Sequence, residues 1–334
     1  MYWRILMTLL LSKIDVQKVL DMKTTMEIVE KAFAELYQGS AVMPQRTPIK
    51  VPEHTGVALF MPAFIKNMGA IGAKIVTVYK DNPKNYNMPT VMGTIIVLDP
   101  KTGEPIGIMD GGYITAMRTG AVSGVATKYM AHDSAKIASV IGSGIQAKTQ
   151  VWATCTARKF EKYVVFSVDS PDKIDVFCKE MEGKHKIPFV RAKTCEEAVR
   201  QADVLTLATS AKDPIIDGDW LKPGCHINGI GSHAVDYREL DEKTVCKSRI
   251  ICDYTEACMA EAGDFLIPMK EGRWSKDMIK GDLGAVITGK VKGREKKDEI
   301  TLFKSVGLAI QDLSTAYAVF GRAQEMKVGT TFTF

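Results

Sequence analysis

The sequence predicts an α/β protein whose main part is a doubly wound parallel sheet of the Rossmann type. Three observations support this. From Ser134 onward, short apolar runs alternate with helical patterns, as parallel sheets with crossover helices require. Before Ser134, strand-like runs are separated by turn residues, which favours a mostly antiparallel sheet. The 334 residues also exceed the usual size of a single domain.

The composition is that of an ordinary globular protein and excludes several classes of partner. The net charge is only +5 and no long basic run occurs, so no nucleic-acid partner is expected. The seven cysteines are odd in number and lack C-x-x-C spacing, and the five histidines form no ligand pattern. We therefore expect no metal, no disulfide framework and a cytoplasmic location. Residues 1–11 are apolar but too short to span a membrane and lack a cleavage site, so neither an anchor nor a signal peptide is expected.

Residues before 134 are predicted to form helices followed by strands. A strand is expected at residues 7–11, and apolar residues at helical spacing predict a helix at 23–37 that ends at Gly39. A long helix is expected over residues 111–132, where small residues recur every four positions. The strands predicted between these helices are 57–61, 70–78, 91–98 and 105–109.

Residues after 134 are predicted to alternate between strands and helices. A long amphipathic helix is expected to close the chain at residues 302–326. The predicted strands are 137–141, 163–168, 204–208, 225–230 and 249–252, and the predicted helices are 145–157, 171–181 and 195–201.

A glycine turn follows the first strand of this alternating part. Gly142, Gly144 and Ala147 have G-x-G-x-x-A spacing between a predicted strand and a predicted helix, which is the context of a dinucleotide-binding turn. The helix would offer free N–H groups to a pyrophosphate. The candidate cofactor-binding residues are Gly142, Ser143, Gly144, Ile145, Gln146 and Ala147.

Asp169 follows the second strand of the alternating part, where an acid binds the ribose 2′-hydroxyl in NAD-binding proteins. No arginine lies close behind it to receive a 2′-phosphate. NAD is therefore expected as the cofactor, with NADP as the alternative. Asp169 could equally serve as a turn or capping residue before Pro171.

Three basic residues lie before the alternating part: Arg46, Lys74 and Arg118. Lys74 stands in a strand that otherwise looks buried, and a buried lysine must find a partner or lose its charge. Together the three residues would bind a carboxylate, which arginine grips with two donors. The alternative is that Lys74 lies on the exposed face of a half-buried strand and that both arginines are surface residues.

Several stretches of the sequence resemble motifs of the ornithine cyclodeaminase/mu-crystallin family and follow one another in the same order. The resemblance covers nearly the whole chain from Met7. The similar stretches are residues 43–48, 74–79, 110–121, 141–147, 227–232 and 303–312. The resemblance implies that Arg46, Lys74 and Arg118 bind the substrate carboxylate, with Lys74 and Arg118 catalytic. It places Ser305 and Val306 beside the nicotinamide of the cofactor.

The resemblance also implies a discontinuous first domain. Residues 1–132 and 311–334 would form an α+β domain that binds substrate and pairs with a second copy in a homodimer. Residues 133–310 would form the Rossmann domain that binds NAD(P).

The function implied is that of an NAD(P)-dependent oxidoreductase acting at C2 of an amino acid or its imine, of the alanine dehydrogenase or cyclic ketimine reductase type. One alternative is an ornithine cyclodeaminase that uses NAD catalytically. Another is a crystallin-like binding protein. His233 stands where the cyclodeaminases have an aspartate that binds the ornithine amine, although Asp236 lies three residues on and His233 could be an ordinary loop residue. Ornithine is therefore expected to be a poor substrate.

Overall fold

The computed structural model describes residues 7–232 and 234–333, which form two compact units. Unit 1 contains the chain up to Arg118 together with the chain from Leu308 onward, and unit 2 contains Thr119–Gly307. Unit 1 is therefore discontinuous in sequence. The unit boundaries fall 14 residues before the first sequence-based boundary (132 − 118) and three residues before the second (310 − 307).

The described residues contain sixteen strands and twelve α-helices. The strands are β1 (Met7–Leu11), β2 (Ala41–Val42), β3 (Thr47–Val51), β4 (Gly56–Ile65), β5 (Ala70–Tyr79), β6 (Val91–Leu98), β7 (Pro105–Asp110), β8 (Ile137–Ile141), β9 (Lys162–Phe166), β10 (Phe189–Arg191), β11 (Val204–Leu207), β12 (His226–Gly229), β13 (Arg249–Cys252), β14 (Ile279–Asp282), β15 (Thr301–Lys304) and β16 (Thr330–Thr333). The helices are α1 (Lys13–Val19), α2 (Met22–Tyr37), α3 (Asn82–Asn85), α4 (Gly111–Met130), α5 (Ile145–Ala157), α6 (Pro171–His185), α7 (Cys195–Gln201), α8 (Glu242–Lys247), α9 (Thr255–Glu261), α10 (Gly263–Lys270), α11 (Leu283–Ile287) and α12 (Ala309–Met326).

Unit 1 is built on a mostly antiparallel sheet in the order β16-β1-β7-β6-β5-β4-β2, with β3 also paired to β4. Only β1 and β7 pair in parallel among its described strands. The central strand β5 alternates buried and half-buried residues, and α12 packs across β4, β5 and β6. A Cβ atom at Gly72 of β5 would lie 2.0 Å from the Ile96 carbonyl oxygen and 2.9 Å from Leu313 of α12, so this close packing requires glycine.

Unit 2 is built on a parallel sheet in the order β10-β9-β8-β11-β12-β15-β13-β14. All described residues of β11, β12 and β15 are buried, which is typical of parallel strands covered on both faces. The strand order reverses between β8 and β11, which is where doubly wound sheets bind ligands. The predicted α/β class with a Rossmann sheet and a separate α+β part is confirmed.

The C-terminal region departs from the sequence-based prediction. Residues predicted to begin a helix at 302 instead form the buried strand β15, and α12 begins only at Ala309. Gly307 separates them with φ +82°, a left-handed conformation that breaks the helix. Leu302 and Phe303 are apolar in either structure, so their pattern alone did not distinguish a short buried strand from a helix.

The small residues of α4 serve close packing inside unit 2. A Cβ atom at Gly120 would lie 2.5 Å from the Thr149 carbonyl oxygen of α5. At the adjacent residues, the Gln150 side chain of α5 donates to the Thr119 carbonyl at 2.9 Å. This contact fixes α5, the helix that begins at the glycine turn.

Candidate active site

The glycine turn of unit 2 lies at the carboxyl end of β8, beside the point where the strand order reverses. Gly142 has φ +118°, and a Cβ atom there would lie 2.5 Å from the Ala208 carbonyl oxygen just after β11. Its N–H donates to the Phe166 carbonyl of β9 at 2.8 Å. Glycine is therefore required at this position, which turns the chain from β8 into α5.

Open space lies next to Gly144, the residue that precedes α5. A Cβ atom at Gly144 would meet no atom of the protein within 4 Å, and no side chain caps the helix. The first N–H groups of α5 thus have no side-chain acceptor, and a helix N-terminus favours an anion. The buried Ala147 has no bulk to hold α5 away from the sheet. These features fit the pyrophosphate of a dinucleotide.

Asp169 lies in a cluster of hydroxyl groups after β9. Its Oδ2 atom accepts hydrogen bonds from the hydroxyls of Ser143 and Ser167, the latter at 3.0 Å. Hydrogen bonds from Ser143 and Ser167, and the nearby Lys173 ammonium, lower the pKa of Asp169, so the group is a carboxylate near neutral pH. It is exposed, and its acceptors suit a ribose hydroxyl.

Ser305 and Val306 form a turn at the carboxyl end of β15, and a buried aspartate holds this turn. Asp253 Oδ2 accepts hydrogen bonds from the Ser305 hydroxyl at 2.7 Å and from the N–H groups of Val306 and Gly307 at 2.9 Å each. Asp253 is fully buried. The turn is therefore rigid and stands at the edge of the sheet where ligands bind.

Unit 1 contains a buried ion cluster around Asp312. Lys74 of β5 is only 1% exposed, and its Nζ atom lies 2.6 Å from Asp312 Oδ2. Arg118 of α4 donates from Nε to Asp312 Oδ1 at 2.9 Å. Asp312 lies in the first turn of α12 and is fully buried. The alternative prediction, that Lys74 lies on the exposed face of a half-buried strand, is wrong, because α12 covers that face.

Gln311, beside Asp312, completes the arrangement of Arg118. Its side-chain oxygen accepts a hydrogen bond from Arg118 Nη1. The Gln311 Nε2 group is fully buried and has no hydrogen-bond partner in the described structure. A buried donor without an acceptor is costly, and a ligand oxygen would satisfy it. The guanidinium of Arg118 is thus held at two positions, with an unused donor next to it.

The charges around Lys74 change its proton affinity. Burial is the largest effect and lowers the pKa of Lys74, Asp312 opposes the shift, and the positive charges of Arg118 and Arg46 add to it, which brings the pKa to about 7. Arg46 lies half-buried between β2 and β3, and its charge acts on Lys74. A lysine with this pKa can both hold and release a proton at neutral pH.

Sequence reasoning identified part of this arrangement. It singled out Lys74, Arg118 and Arg46, and it assigned no role to Asp312 or Gln311. The stretch 303–312 stood out as similar to the family, which was the available signal for both residues. His233, a predicted substrate-binding residue, lies outside the described residues.

Two further observations concern the described part of the chain. Within residues 7–232 and 234–333, no three His, Cys, Asp or Glu side chains come together in a way that could hold a metal ion. None of the described helices combines the length and apolarity needed to cross a membrane.

Two solved structures are similar to this chain over nearly its whole length. Δ1-pyrroline-2-carboxylate reductase of Thermococcus litoralis, in complex with NADH and L-proline, is 45% identical with a TM-score of 0.94, covering 97% of this chain and 99% of that one. An archaeal alanine dehydrogenase dimer with bound NAD is 32% identical with a TM-score of 0.93, covering 98% and 99%.

A third relative and a family model agree with these similarities. Δ1-pyrroline-2-carboxylate reductase of Bacillus cereus is 34% identical over 327 residues, which are 98% of this chain and 100% of the relative. The model of the ornithine cyclodeaminase/mu-crystallin family matches residues 7–327. The stretches 74–79, 110–121 and 141–147, which resemble motifs of that family, contribute residues to the two candidate sites. The chain belongs to the ornithine cyclodeaminase/mu-crystallin family.

Proposed function

We propose that this protein is an NADH-dependent imine reductase that converts a cyclic imino acid, Δ1-pyrroline-2-carboxylate, into proline. The observation that carries this proposal is the buried group of Lys74, Arg118 and Asp312, which combines carboxylate-binding cations with a lysine whose pKa is near 7. The 45% identical reductase, solved with NADH and L-proline, supports the choice of substrate.

Reduction of an imine adds a hydride to carbon and a proton to nitrogen. NADH, when bound, supplies the hydride to C2. Arg46 and Arg118 hold the substrate carboxylate, and the fork of Arg118 is already oriented by Asp312 and Gln311. Holding the carboxylate aligns C2 and lowers the entropic part of the barrier.

Lys74 supplies the proton in this mechanism. Its ammonium group lies against Asp312, so its position is fixed before substrate binds. Because the pKa of Lys74 is about 7, the ammonium is a much stronger acid than an ordinary lysine and can protonate the imine nitrogen. In the reverse direction, the neutral amine accepts the proton from proline.

The cofactor site supports NADH rather than NADPH. We assign the pyrophosphate to the turn formed by Gly142, Ser143, Gly144, Ile145, Gln146 and Ala147, where the open space beside Gly144 fits it. Asp169 would accept a hydrogen bond from a ribose 2′-hydroxyl and would repel a 2′-phosphate. Ser305 and Val306 are assigned to the nicotinamide side because their turn stands at the carboxyl end of β15.

A substrate panel tests the proposal. The purified protein is given Δ1-pyrroline-2-carboxylate, its six-membered homologue, or pyruvate with ammonia, each with NADH or NADPH, and absorbance of the reduced nucleotide is followed. We expect the five-membered imine with NADH to give the highest kcat/KM. Higher kcat/KM with pyruvate and ammonia would identify an alanine dehydrogenase instead, as in the 32% identical archaeal relative. Nucleotide binding without consumption of NADH on any substrate would favour a crystallin-like binding protein.

Ornithine with catalytic NAD is a further arm of the panel. The chain has His233 at the position where the cyclodeaminases of the family carry an aspartate. A neutral or positive imidazole does not pair with an ammonium group as a carboxylate does. We expect little proline and ammonia from ornithine, and efficient conversion would make the protein a cyclodeaminase.

We further propose that the protein is a cytoplasmic homodimer formed through unit 1. The seven cysteines are all free, which suits a reducing compartment. Apolar side chains on the strands of unit 1 are exposed, among them Val42, Ile49 and Val91, and the archaeal alanine dehydrogenase is a dimer. Light scattering should give the mass of two chains, and a monomer at micromolar concentration would contradict this.

A further inference from the structure

Unit 2 contains a second buried ion cluster, formed by Lys304, Asp264 and Glu239, which has no role in the mechanism above. All three residues are fully buried. Lys304 Nζ lies 2.6 Å from Asp264 Oδ2 and donates to the Ser232 carbonyl at 2.7 Å. Asp264 Oδ1 accepts the backbone N–H groups of Glu239 at 2.8 Å and Leu240 at 2.9 Å. The Glu239 backbone is therefore fixed by the Lys304–Asp264 pair.

The Glu239 side chain connects two loops. Its Oε1 atom accepts hydrogen bonds from the N–H of Thr209 at 2.8 Å and the Thr209 hydroxyl at 2.7 Å. Its Oε2 atom accepts the N–H of Gly231 at 2.7 Å. A Cβ atom at Gly231 would lie 2.2 Å from the Thr209 carbonyl oxygen, so the two loops are in direct contact.

These loops stand at one particular place in the sheet. Thr209 follows β11, Gly231 follows β12, and Lys304 ends β15, which are three adjacent strands on the side of the reversal away from β9. In a doubly wound sheet each half binds one mononucleotide of the dinucleotide. The glycine turn between β8 and α5 belongs to one half of the sheet, and β11, β12 and β15 belong to the other. The cluster therefore lies beside the loops of the half that we assign to the nicotinamide mononucleotide.

Stability alone does not account for such a cluster. Burying ionised groups costs several kcal/mol each, and apolar residues of similar volume are often as stabilising. Both oxygens of Glu239 are occupied by donors and the group is sealed from solvent, so it does not exchange protons with substrate. What the carboxylate supplies is a link of fixed length between the loops after β11 and β12.

We propose that Glu239 is a positioning residue, held by Lys304 and Asp264, that fixes the loops after β11 and β12 against the nicotinamide half of the bound dinucleotide. This inference rests on the proposed function as an NADH-dependent reductase. It separates two parts of cofactor binding: the glycine turn provides affinity through the pyrophosphate, and the Glu239 link provides the orientation from which hydride transfer occurs.

The test is Glu239→Gln. A glutamine amide would place a donor against either Gly231 N–H or the Thr209 donors, so one loop loses its anchor. We expect the dissociation constant of ADP-ribose, which lacks nicotinamide, to stay within about twofold. Single-turnover hydride transfer from NADH should slow roughly 10- to 100-fold, since small misplacement of reacting groups has effects of this size. The fluorescence of bound NADH should shift toward that of free NADH.

Three further variants keep the inference falsifiable. Thr209→Val removes one donor to Glu239 without a change of charge, so it should slow hydride transfer. Thr209→Ser keeps the hydroxyl, so its rate of hydride transfer should be close to that of the parent. His226→Asn is the matched control, because His226 is equally buried at the amino end of β12, where it hydrogen-bonds Thr301 at 2.9 Å. It should lower stability without slowing hydride transfer.

The inference is overturned if Glu239→Gln, or Thr209→Val where the first variant does not fold, transfers hydride as fast as the parent. It is also overturned if ADP-ribose and NADH binding weaken in parallel, which would show general damage to the unit. If the parent reduces no imino acid, the proposed function fails. The comparison of ADP-ribose affinity with bound-NADH fluorescence would then still decide the role of Glu239.

Discussion

Each unit of the protein contains a buried lysine paired with a buried aspartate, and the distance from Nζ to Oδ2 is the same in the two pairs. Lys74 lies 2.6 Å from Asp312 in unit 1, and Lys304 lies 2.6 Å from Asp264 in unit 2. All four side chains are at most 1% exposed. Distance and burial therefore do not distinguish the pairs.

The surrounding charges distinguish them. Burial lowers the pKa of both lysines, but Lys74 has two arginines and one carboxylate nearby, and its pKa falls to about 7. Lys304 has two carboxylates, Asp264 and Glu239, whose attraction outweighs burial and raises its pKa. The same kind of pair thus lowers the pKa of its lysine in one unit, as the proposed proton donor requires, and is accompanied by a raised lysine pKa in the other.

The largest expected effect is loss of turnover in Lys74→Met. Loss of a positioned proton donor lowers kcat about 10²- to 10⁴-fold. NADH affinity should stay near that of the parent, because the candidate nucleotide site consists of unit 2 residues. Steady-state kinetics and NADH titration by fluorescence measure the two quantities.

Gly144→Val is the complementary control for Lys74→Met. A Cβ atom at this position would meet no atom of another element within 4 Å, so the variant should fold, yet its side chain would occupy the space assigned to the pyrophosphate. NADH binding should be lost. Unchanged NADH affinity in a folded Gly144→Val protein would refute the cofactor site.

Lys304→Met should have its main effect on stability. It leaves two carboxylates buried without a cation, and breaking a buried ion pair in this way costs about 3–5 kcal/mol. Lys74→Met should cost less, because Asp312 keeps its ion pair with Arg118 at 2.9 Å. Urea unfolding followed by tryptophan fluorescence and circular dichroism gives both values. An equal loss in the two variants would contradict the distinction between the pairs.

The smallest effect is the pH dependence of the parent. In the proposed mechanism Lys74 donates the proton in imine reduction. Because its ammonium form is lost as pH rises through about 7, kcat/KM for reduction should fall about tenfold per pH unit above that value. Oxidation of proline should show the opposite trend. A break near 10, the ordinary range of lysine, would show that the charges around Lys74 do not act as described.

Local patterns were sufficient to predict the glycine turn. Gly142, Gly144 and Ala147 lie within six residues, and the strand before them and the helix after them are contiguous in the chain. The steric reasons for each small residue are local as well. The boundary between β15 and α12 was not predicted, because the four buried residues of β15 are too few to show the period of a strand.

The ion clusters were not predictable in this way. Lys74 was conspicuous as a charge in an apolar strand, but its partner is 238 residues away. Asp312 by itself looks like an ordinary acid in the first turn of a helix, where the helix dipole favours it. Glu239, Asp264 and Lys304 are likewise brought together only by the strand order of unit 2. Long-range packing decides whether a charged residue is exposed or buried.

The discontinuity of unit 1 has a consequence for biosynthesis. The ribosome completes β5 and its lysine long before it makes α12, and at about 5–20 residues per second the 238 residues to Asp312 take roughly 10–50 s. During this interval the whole of unit 2 is synthesised, and because its segment is contiguous, its folding needs no later part of the chain. The nascent chain therefore carries Lys74 without its partner until α12 has been made, so the surroundings that lower the pKa of Lys74 are complete only after nearly the whole chain has been synthesised.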